Sequence, residues 1–331
     1  YSQKAMPIAH SYYTRRLFLS RLGSMLPLLL LSRPLHRLFF SIPGQTTPLF
    51  HTFGTMTSQD NPRSKEEFTE PSYLSLHRSG ELKRRGDILW QMMDICRLCP
   101  RECETKRLEG QKGDCGSTAQ LEVSSFHPHF GEEESLVGEG GSGTIFMTHC
   151  SLRCVYCINW QISMGGEGRH RSIDELAGMM IRLQQMGCTN INVVTPTHYS
   201  PHIVLALDKA AARGLKIPLV WNTSGYEKLD VLRLLDGVVD IYLPDFKYFE
   251  GEMAARYASD ARDYPERVRE ALLEMHRQVG VAYPAGDGIM YRGVMIRHLV
   301  LPNGISGSEQ IIRWVAGKMK KNTYLHLMSQ Y

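Results

Sequence analysis

Three cysteines follow directly after an apolar run and have the spacing C-x3-C-x2-C: Cys150, Cys154 and Cys157. Three thiolates on one short loop suit a cubane iron–sulfur cluster, because each thiolate can bind a different corner iron. No fourth cysteine follows at a similar interval, so one iron would stay open for a ligand, as the open position of a catalytic zinc does. The pattern predicts a reactive cluster. The alternative is a set of buried structural thiols or a zinc site, for which His149 is the only nearby fourth ligand.

A second cysteine group precedes the first one in the chain. It consists of Cys96, Cys99, Cys103 and Cys115. The initial C-x2-C predicts a closed metal site, because the turn between the first two cysteines points both sulfurs inward. Zinc and a second iron–sulfur cluster fit this spacing equally well, and a set of disulfides is the remaining alternative.

The cluster loop supports a family resemblance. The spacing C-x3-C-x2-C, with Tyr156 just before the last cysteine, resembles the loop of radical S-adenosylmethionine (SAM) enzymes, and the chain is similar to pyruvate formate-lyase activating-enzyme-like iron–sulfur proteins. The resemblance implies a [4Fe–4S] cluster that cleaves SAM reductively to methionine and a 5′-deoxyadenosyl radical for hydrogen abstraction. It further implies a reductant such as ferredoxin or flavodoxin, and a protein substrate that receives a glycyl radical.

The elements around the loop predict the fold. From Thr144 onward, six strand patterns alternate with helix patterns, which indicates a parallel sheet with right-handed crossovers. We therefore expect an α/β fold: a six-unit partial (β/α) barrel of radical SAM type with a small N-terminal four-cysteine metal module. In such barrels the chemistry lies at the carboxyl ends of the strands.

Polar residues follow the predicted strands at these ends. The resemblance implies SAM contacts from Thr195 and Thr197 after the second strand, from Asn222, Thr223 and Ser224 after the third, from Asp245 and Lys247 after the fourth, and from Arg297 in the fifth. Asp245 would take the ribose or a monovalent cation, and Lys247 would face the carboxylate of SAM. The alternative is that Asp245 and Lys247 form a solvated ion pair, which contributes little to stability.

Two glycine patterns are set aside. The Gly-Gly-Glu that radical SAM proteins carry after the second strand occurs here at 165–167, before the first helix, so we interpret it as a surface turn. The G-x-G-x-x-G at 138–143 leads into a strand rather than a helix, which excludes a dinucleotide site and favours a hinge.

The bulk composition limits the partners and the location. A net charge of +4 over 331 residues favours neither nucleic acid nor a membrane as a partner. Residues 1–59 contain basic side chains and no Asp or Glu, which is typical of an organellar transit peptide. The apolar run at 25–31 makes a secretory signal the competing interpretation, but it is short and contains Pro27. We expect a mitochondrial protein, with a cytoplasmic one as the alternative.

The sequence thus predicts three regions. Residues 1–62 form a transit peptide and linker, residues 63–135 a helix and the four-cysteine module, and residues 136–331 a radical SAM core that is truncated at the C-terminus. The alternative function is a non-catalytic iron–sulfur or zinc protein that acts in electron transfer or as a binding scaffold.

Overall fold

A computed structural model describes residues 70–329 of the chain. The predicted transit peptide and linker, residues 1–62, lie outside the described residues. Within residues 70–329, no helix is long and apolar enough to cross a membrane.

Helices and strands alternate through most of the described chain. The α-helices are α1 (Tyr73–Arg78), α2 (Glu81–Gln91), α3 (Glu134–Val137), α4 (Trp160–Ser163), α5 (Ile173–Gln185), α6 (Ser200–Ala212), α7 (Leu229–Leu234), α8 (Gly251–Tyr257), α9 (Tyr264–Val279) and α10 (Ser308–Lys318). The strands are β1 (Leu121–His129), β2 (Ser142–Met147), β3 (Arg169–Arg171), β4 (Ile191–Val194), β5 (Leu219–Thr223), β6 (Ile241–Pro244), β7 (Gly293–Leu299) and β8 (Tyr324–Met328).

The strands form one sheet of eight in the order β3-β1-β2-β4-β5-β6-β7-β8. The strands β2, β4, β5, β6, β7 and β8 are parallel neighbours in chain order, which confirms the predicted six-unit α/β fold. Strands β1 and β3, which the sequence did not predict, extend the sheet antiparallel beyond β2. The sheet is therefore open, with β3 and β8 at its edges, and is consistent with a radical SAM partial barrel.

Side chains from alternate strand positions enter the main core on the helix-covered face of the sheet. They include Ile145, Val193, Trp221, Tyr242 and Ile296, each completely buried. A separate apolar cluster contains the alternate residues Val220, Leu243 and Met295, together with Leu136 of α3. Because strand side chains alternate between faces, this cluster fills part of the inner face, and the polar residues Asn222 and Arg297 share that face further along their strands.

Local sequence signals position helices α5 and α2. Helix α5 starts with a capping box, in which the Ser172 hydroxyl accepts from the Glu175 amide at 3.1 Å and the Glu175 carboxylate accepts from the Ser172 amide at 2.8 Å. Helix α2 packs against α6 through Gly86, whose missing side chain leaves room for Leu205. Helix α2 therefore joins the N-terminal cysteine region to the helical layer of the sheet.

The glycine pattern at 138–143 serves close packing. A Cβ at Gly140 would lie 1.8 Å from the carbonyl oxygen of Gly187, and one at Gly143 would lie 2.5 Å from that of Asn190. Only glycine allows these backbones to approach so closely. The segment that leads into β2 is thereby fixed against the turn that leads into β4.

Candidate functional site

The loop after β2 brings three thiols together. Cys150, Cys154 and Cys157 lie close enough for their thiols to interact electrostatically with one another. The Leu152 amide donates to the Cys150 sulfur at 3.3 Å, and the Ser163 hydroxyl donates to the Cys157 sulfur at 3.2 Å. Such donors stabilise thiolates. The loop therefore fits the ligand set of an iron–sulfur cluster.

Three residues in and near this loop have positive φ values, which non-glycine residues rarely adopt. His149 has φ +66°, Arg153 has φ +47°, and Thr195, directly after β4, has φ +59°. For a β-branched residue such as Thr195 this conformation is strained. The Thr195 amide donates to the Asn222 carbonyl at 2.9 Å, which ties the end of β4 to the end of β5.

Asp245 is the centre of a buried polar cluster at the ends of β5, β6 and β7. Its carboxylate accepts from the Lys247 ammonium at 2.7 Å and from the Arg297 guanidinium at 3.2 Å. Arg297 also donates to the Asn222 side-chain oxygen and lies 3.5 Å from the Glu132 carboxylate. The side chains of Asp245 and Lys247 are only 15% and 17% exposed, so they do not form a solvated ion pair.

The charges in this cluster hold one another ionised. Burial alone would raise the pKa of Asp245, but Lys247 and Arg297 outweigh it and the pKa of this carboxyl lies below its ordinary value. Burial alone would lower the pKa of Lys247, but the Asp245 carboxylate outweighs it and the pKa is raised. Lys247 also interacts electrostatically with the Cys154 thiol, which places its cation beside the cysteine loop.

Glu227 joins the ends of β4 and β5. One of its carboxyl oxygens accepts hydrogen bonds from the Thr197 hydroxyl at 2.8 Å, the Thr223 hydroxyl at 2.5 Å and the Trp221 indole at 3.0 Å. Burial raises the pKa of Glu227, although these donors work in the opposite direction. The hydroxyls of Thr197 and Thr223 are thus engaged by Glu227, while Thr195 stays half-buried at the strand end.

Ser224 takes part in the site through its backbone. The Tyr264 hydroxyl lies 2.9 Å from the carbonyl oxygens of Ser224 and Asp245, and it accepts a hydrogen bond from the Lys247 amide at 2.9 Å. Tyr264 is completely buried in α9. It therefore fixes the spacing between the loop after β5 and the loop after β6.

The four N-terminal cysteines also converge. Cys99 interacts electrostatically with Cys96, Cys103 and Cys115. A Cβ placed on Gly113 would lie 3.3 Å from the Cys103 sulfur and 3.5 Å from the Cys115 sulfur, so a side chain at that point would crowd both thiols.

This cysteine group contacts the loop after β2. Arg101 donates to the Ser151 carbonyl at 2.9 Å, and a Cβ on Gly116 would lie 3.0 Å from the His149 ring. The two cysteine groups are therefore neighbours in the fold.

The structure brings the predicted strand-end residues to one edge of the sheet and adds two that the sequence analysis missed, Glu132 and Glu227. It also places Arg107, which the sequence analysis did not predict either, beside the N-terminal cysteines. Glu132 lies in the loop before α3, 165 positions from Arg297 in sequence. No spacing rule predicts such contacts. Gly165 and Glu167 lie in an exposed turn after α4, as predicted for the Gly-Gly-Glu segment.

The arrangement of the ligating side chains bears on the kind of metal centre. Within residues 70–329, no three Cys, His, Asp or Glu side chains converge closely enough to ligate one metal ion. A single zinc ion needs every ligating sulfur within about 2.3 Å of the ion, whereas a cubane binds each thiolate at a different iron. Cys150, Cys154 and Cys157 therefore fit a cubane better than a single ion.

Residues 144–292 match the model of the Radical SAM superfamily. An uncharacterized protein of Methanocaldococcus jannaschii is 29% identical over 274 residues, which cover 80% of this chain and 72% of that protein. Residues 144–292 are thus similar to the Radical SAM superfamily, and this segment contains all three cysteines of the loop after β2, together with Asp245 and Lys247 of the strand-end cluster.

A solved structure was also found, described as native anSMEcpe with bound AdoMet. Its TM-score is 0.37 at 15% identity, and the match covers 54% of this chain and 48% of that chain. The matched part is thus about half of the solved chain.

Proposed function

We propose that this protein is a radical SAM enzyme that generates a 5′-deoxyadenosyl radical for hydrogen abstraction. The observation that carries the proposal is that three converging thiols lie in the segment similar to the Radical SAM superfamily, with the buried Lys247 cation of the same segment beside them. When bound, a [4Fe–4S] cluster with one open iron and SAM supplies reductive cleavage of the carbon–sulfur bond to methionine and the radical.

The cysteine loop would hold the cluster. Cys150, Cys154 and Cys157 supply three thiolates, and the donors from Leu152 and Ser163 offset their negative charge. The loop supplies no fourth thiolate, which leaves room for a ligand at the cluster.

The strand-end cluster would orient SAM. Lys247 and Arg297 place two buried cations at the strand ends, next to the carboxyl groups of Asp245 and Glu132. Lys247 also lies beside the cysteine loop, so its ammonium group can bind the carboxylate of the methionine part of SAM. Asp245 and Asn222 offer oxygens to hydroxyl groups of the ribose, and Thr195 offers its backbone and hydroxyl to the amino group.

The finer proposal is that the hydrogen comes from a protein. It is supported by the similarity of Asp245-x-Lys247 and of the segment 297–302 to glycyl-radical activating enzymes. Deuterated cell extract, divided by filtration into protein and small molecules, would be incubated with the enzyme and unlabelled SAM. Deuterium in 5′-deoxyadenosine from the protein fraction is the expected result, and deuterium from the small-molecule fraction alone would contradict this finer proposal.

The general reaction is tested with two cysteine variants. The anaerobically reconstituted protein, Cys154→Ala and Cys188→Ala would be reduced with dithionite, mixed with SAM and assayed for 5′-deoxyadenosine and methionine. Cys188 is the matched control, because it is a buried cysteine outside both cysteine groups. Equal amounts of both products from the unaltered protein and Cys188→Ala, with none from Cys154→Ala, are expected. Product from Cys154→Ala, or none from a fully loaded unaltered protein, would refute the proposal; the second result would favour an electron carrier or scaffold.

A further inference from the structure

Arg107 is a completely buried cation beside the four N-terminal cysteines. Its guanidinium donates to the Thr118 carbonyl at 2.7 and 3.1 Å and to the His198 carbonyl at 2.9 Å. The remaining contact is with the Cys96 sulfur, at 3.8 Å. Within residues 70–329, no carboxylate forms an ion pair with Arg107.

A buried charge without a countercharge is costly. The transfer of an unpaired ion into the protein interior costs several kcal/mol even after relaxation, and carbonyl dipoles offset only part of it. Of the groups to which Arg107 donates within residues 70–329, only the Cys96 sulfur can carry a negative charge. The position of Arg107 therefore indicates that the cysteine group is anionic in the working protein.

A metal centre held by four thiolates supplies such a charge. Four thiolates around one Zn²⁺, or around a cubane core of charge +2, leave a net charge of about −2. Arg107 is thus compatible with both metals and favours either of them over a group of four neutral thiols or two disulfides as the working state.

The arrangement of the ligating side chains favours an iron–sulfur cluster over zinc. Zinc would need the four sulfurs around one point, yet no three ligating side chains within the described ranges converge in that way. The Cys103 and Cys115 sulfurs both lie next to Gly113, within 3.3 and 3.5 Å of the place where its Cβ would be. We propose that Cys96, Cys99, Cys103 and Cys115 hold a second [4Fe–4S] cluster, with Arg107 as its buried countercharge.

The first experiment isolates this centre from the one after β2. In a variant with Cys150, Cys154 and Cys157 all changed to Ala, iron can bind only at the N-terminal cysteines. After anaerobic reconstitution with iron and sulfide in the presence of equimolar zinc, we expect about four irons and four sulfides per chain and an EPR signal after reduction. In the unaltered chain we expect about eight irons. One zinc without sulfide, or an unaltered chain with about four irons, would overturn the proposal. This outcome does not depend on SAM cleavage, so it is distinct from a failure of the proposed function.

The second experiment tests Arg107 in the same triple variant. Arg107→Gln removes the charge and Arg107→Lys keeps it, while Lys106→Gln is the matched control because Lys106 is an exposed neighbour that pairs with Glu109. Iron loss to a chelator is expected to be at least about fivefold faster in Arg107→Gln than in Lys106→Gln, with Arg107→Lys in between. The reduction potential of Arg107→Gln should also be more negative, because the cation that stabilises the more negative reduced cluster is gone. Equal iron loss and equal potentials in all variants would refute the role of Arg107 as countercharge.

Discussion

The pair formed by Asp245 and Lys247 offers a quantitative test of the strand-end cluster. Removal of one partner of a buried ion pair costs about 3–5 kcal/mol, whereas an exposed pair contributes at most about 1 kcal/mol. The two side chains are 15% and 17% exposed, so the low end of the first range applies. For Asp245→Asn we expect a loss of about 3 kcal/mol in the free energy of unfolding, because two cations lose their shared carboxylate.

Lys247→Met should cost less. Asp245 then keeps Arg297 at 3.2 Å as a counterion, and we expect a loss of about 2 kcal/mol. In the double variant Arg297 retains Asn222 and Glu132 as partners, so the total loss should be about 3 kcal/mol rather than the sum of about 5 kcal/mol. The expected coupling energy is therefore about 2 kcal/mol.

The assay is equilibrium urea unfolding followed by pulse proteolysis, under anaerobic conditions and at equal iron content in all four proteins. The chain provides a control cycle in Lys83→Met and Asp87→Asn, because this pair is 64% and 48% exposed on α2. Its coupling energy should not exceed about 0.5 kcal/mol. A coupling energy at Asp245 and Lys247 equal to that of the exposed pair would refute the buried-cluster account.

Three other residues, Thr195, Glu227 and His202, allow further tests of stability. Thr195→Gly should raise the free energy of unfolding by about 1 kcal/mol in thermal melts, because glycine adopts the φ of +59° without strain, and an unchanged or lower stability would contradict this. Glu227→Gln should lower the free energy of unfolding by less than about 1 kcal/mol in urea titrations at pH 7, because the raised pKa of Glu227 favours a neutral group at this position. Glu227→Ala should lower it by more than about 2 kcal/mol, because three donors lose their acceptor. Equal losses in the two variants would contradict this. Burial lowers the pKa of His202 to about 4, so its contribution to stability is complete above pH 6.5 and is lost as the pH falls, because the unfolded chain takes up the proton first. Burial also lowers the pKa of His198, to about 3, so the unaltered protein loses stability through more than one histidine. Between pH 8 and pH 5 the loss should be about 2 kcal/mol smaller in His202→Gln than in the unaltered protein, and equal losses in the two proteins would contradict this.

The alternation of strands and helices was predictable because it depends on local periodicity. The buried strands Ile191–Val194 and Leu219–Thr223 are short apolar runs between helix patterns, and right-handed crossovers then fix their order. Strand β1 was missed because it contains Pro128 and because its apolar–polar alternation is broken at Ser124 and Ser125, where the register with β2 shifts.

The candidate site was predictable only in part. Positions such as Asp245 and Arg297 follow from their place at strand ends, since the carboxyl ends of parallel strands meet at one edge. Arg107 and Glu227 act through contacts across 91 and 30 positions, with His198 and Thr197 respectively. Such contacts arise from tertiary packing and have no local signal.

The central claim is that SAM binds at the open iron of a cluster held by Cys150, Cys154 and Cys157. It is tested most directly by EPR of the dithionite-reduced, fully reconstituted protein before and after SAM is added, with Cys154→Ala measured in parallel. The account predicts that SAM changes the signal of the unaltered protein, with 5′-deoxyadenosine formed on thawing, and that Cys154→Ala shows neither effect. An unchanged signal and no 5′-deoxyadenosine from protein with a complete cluster would contradict the account.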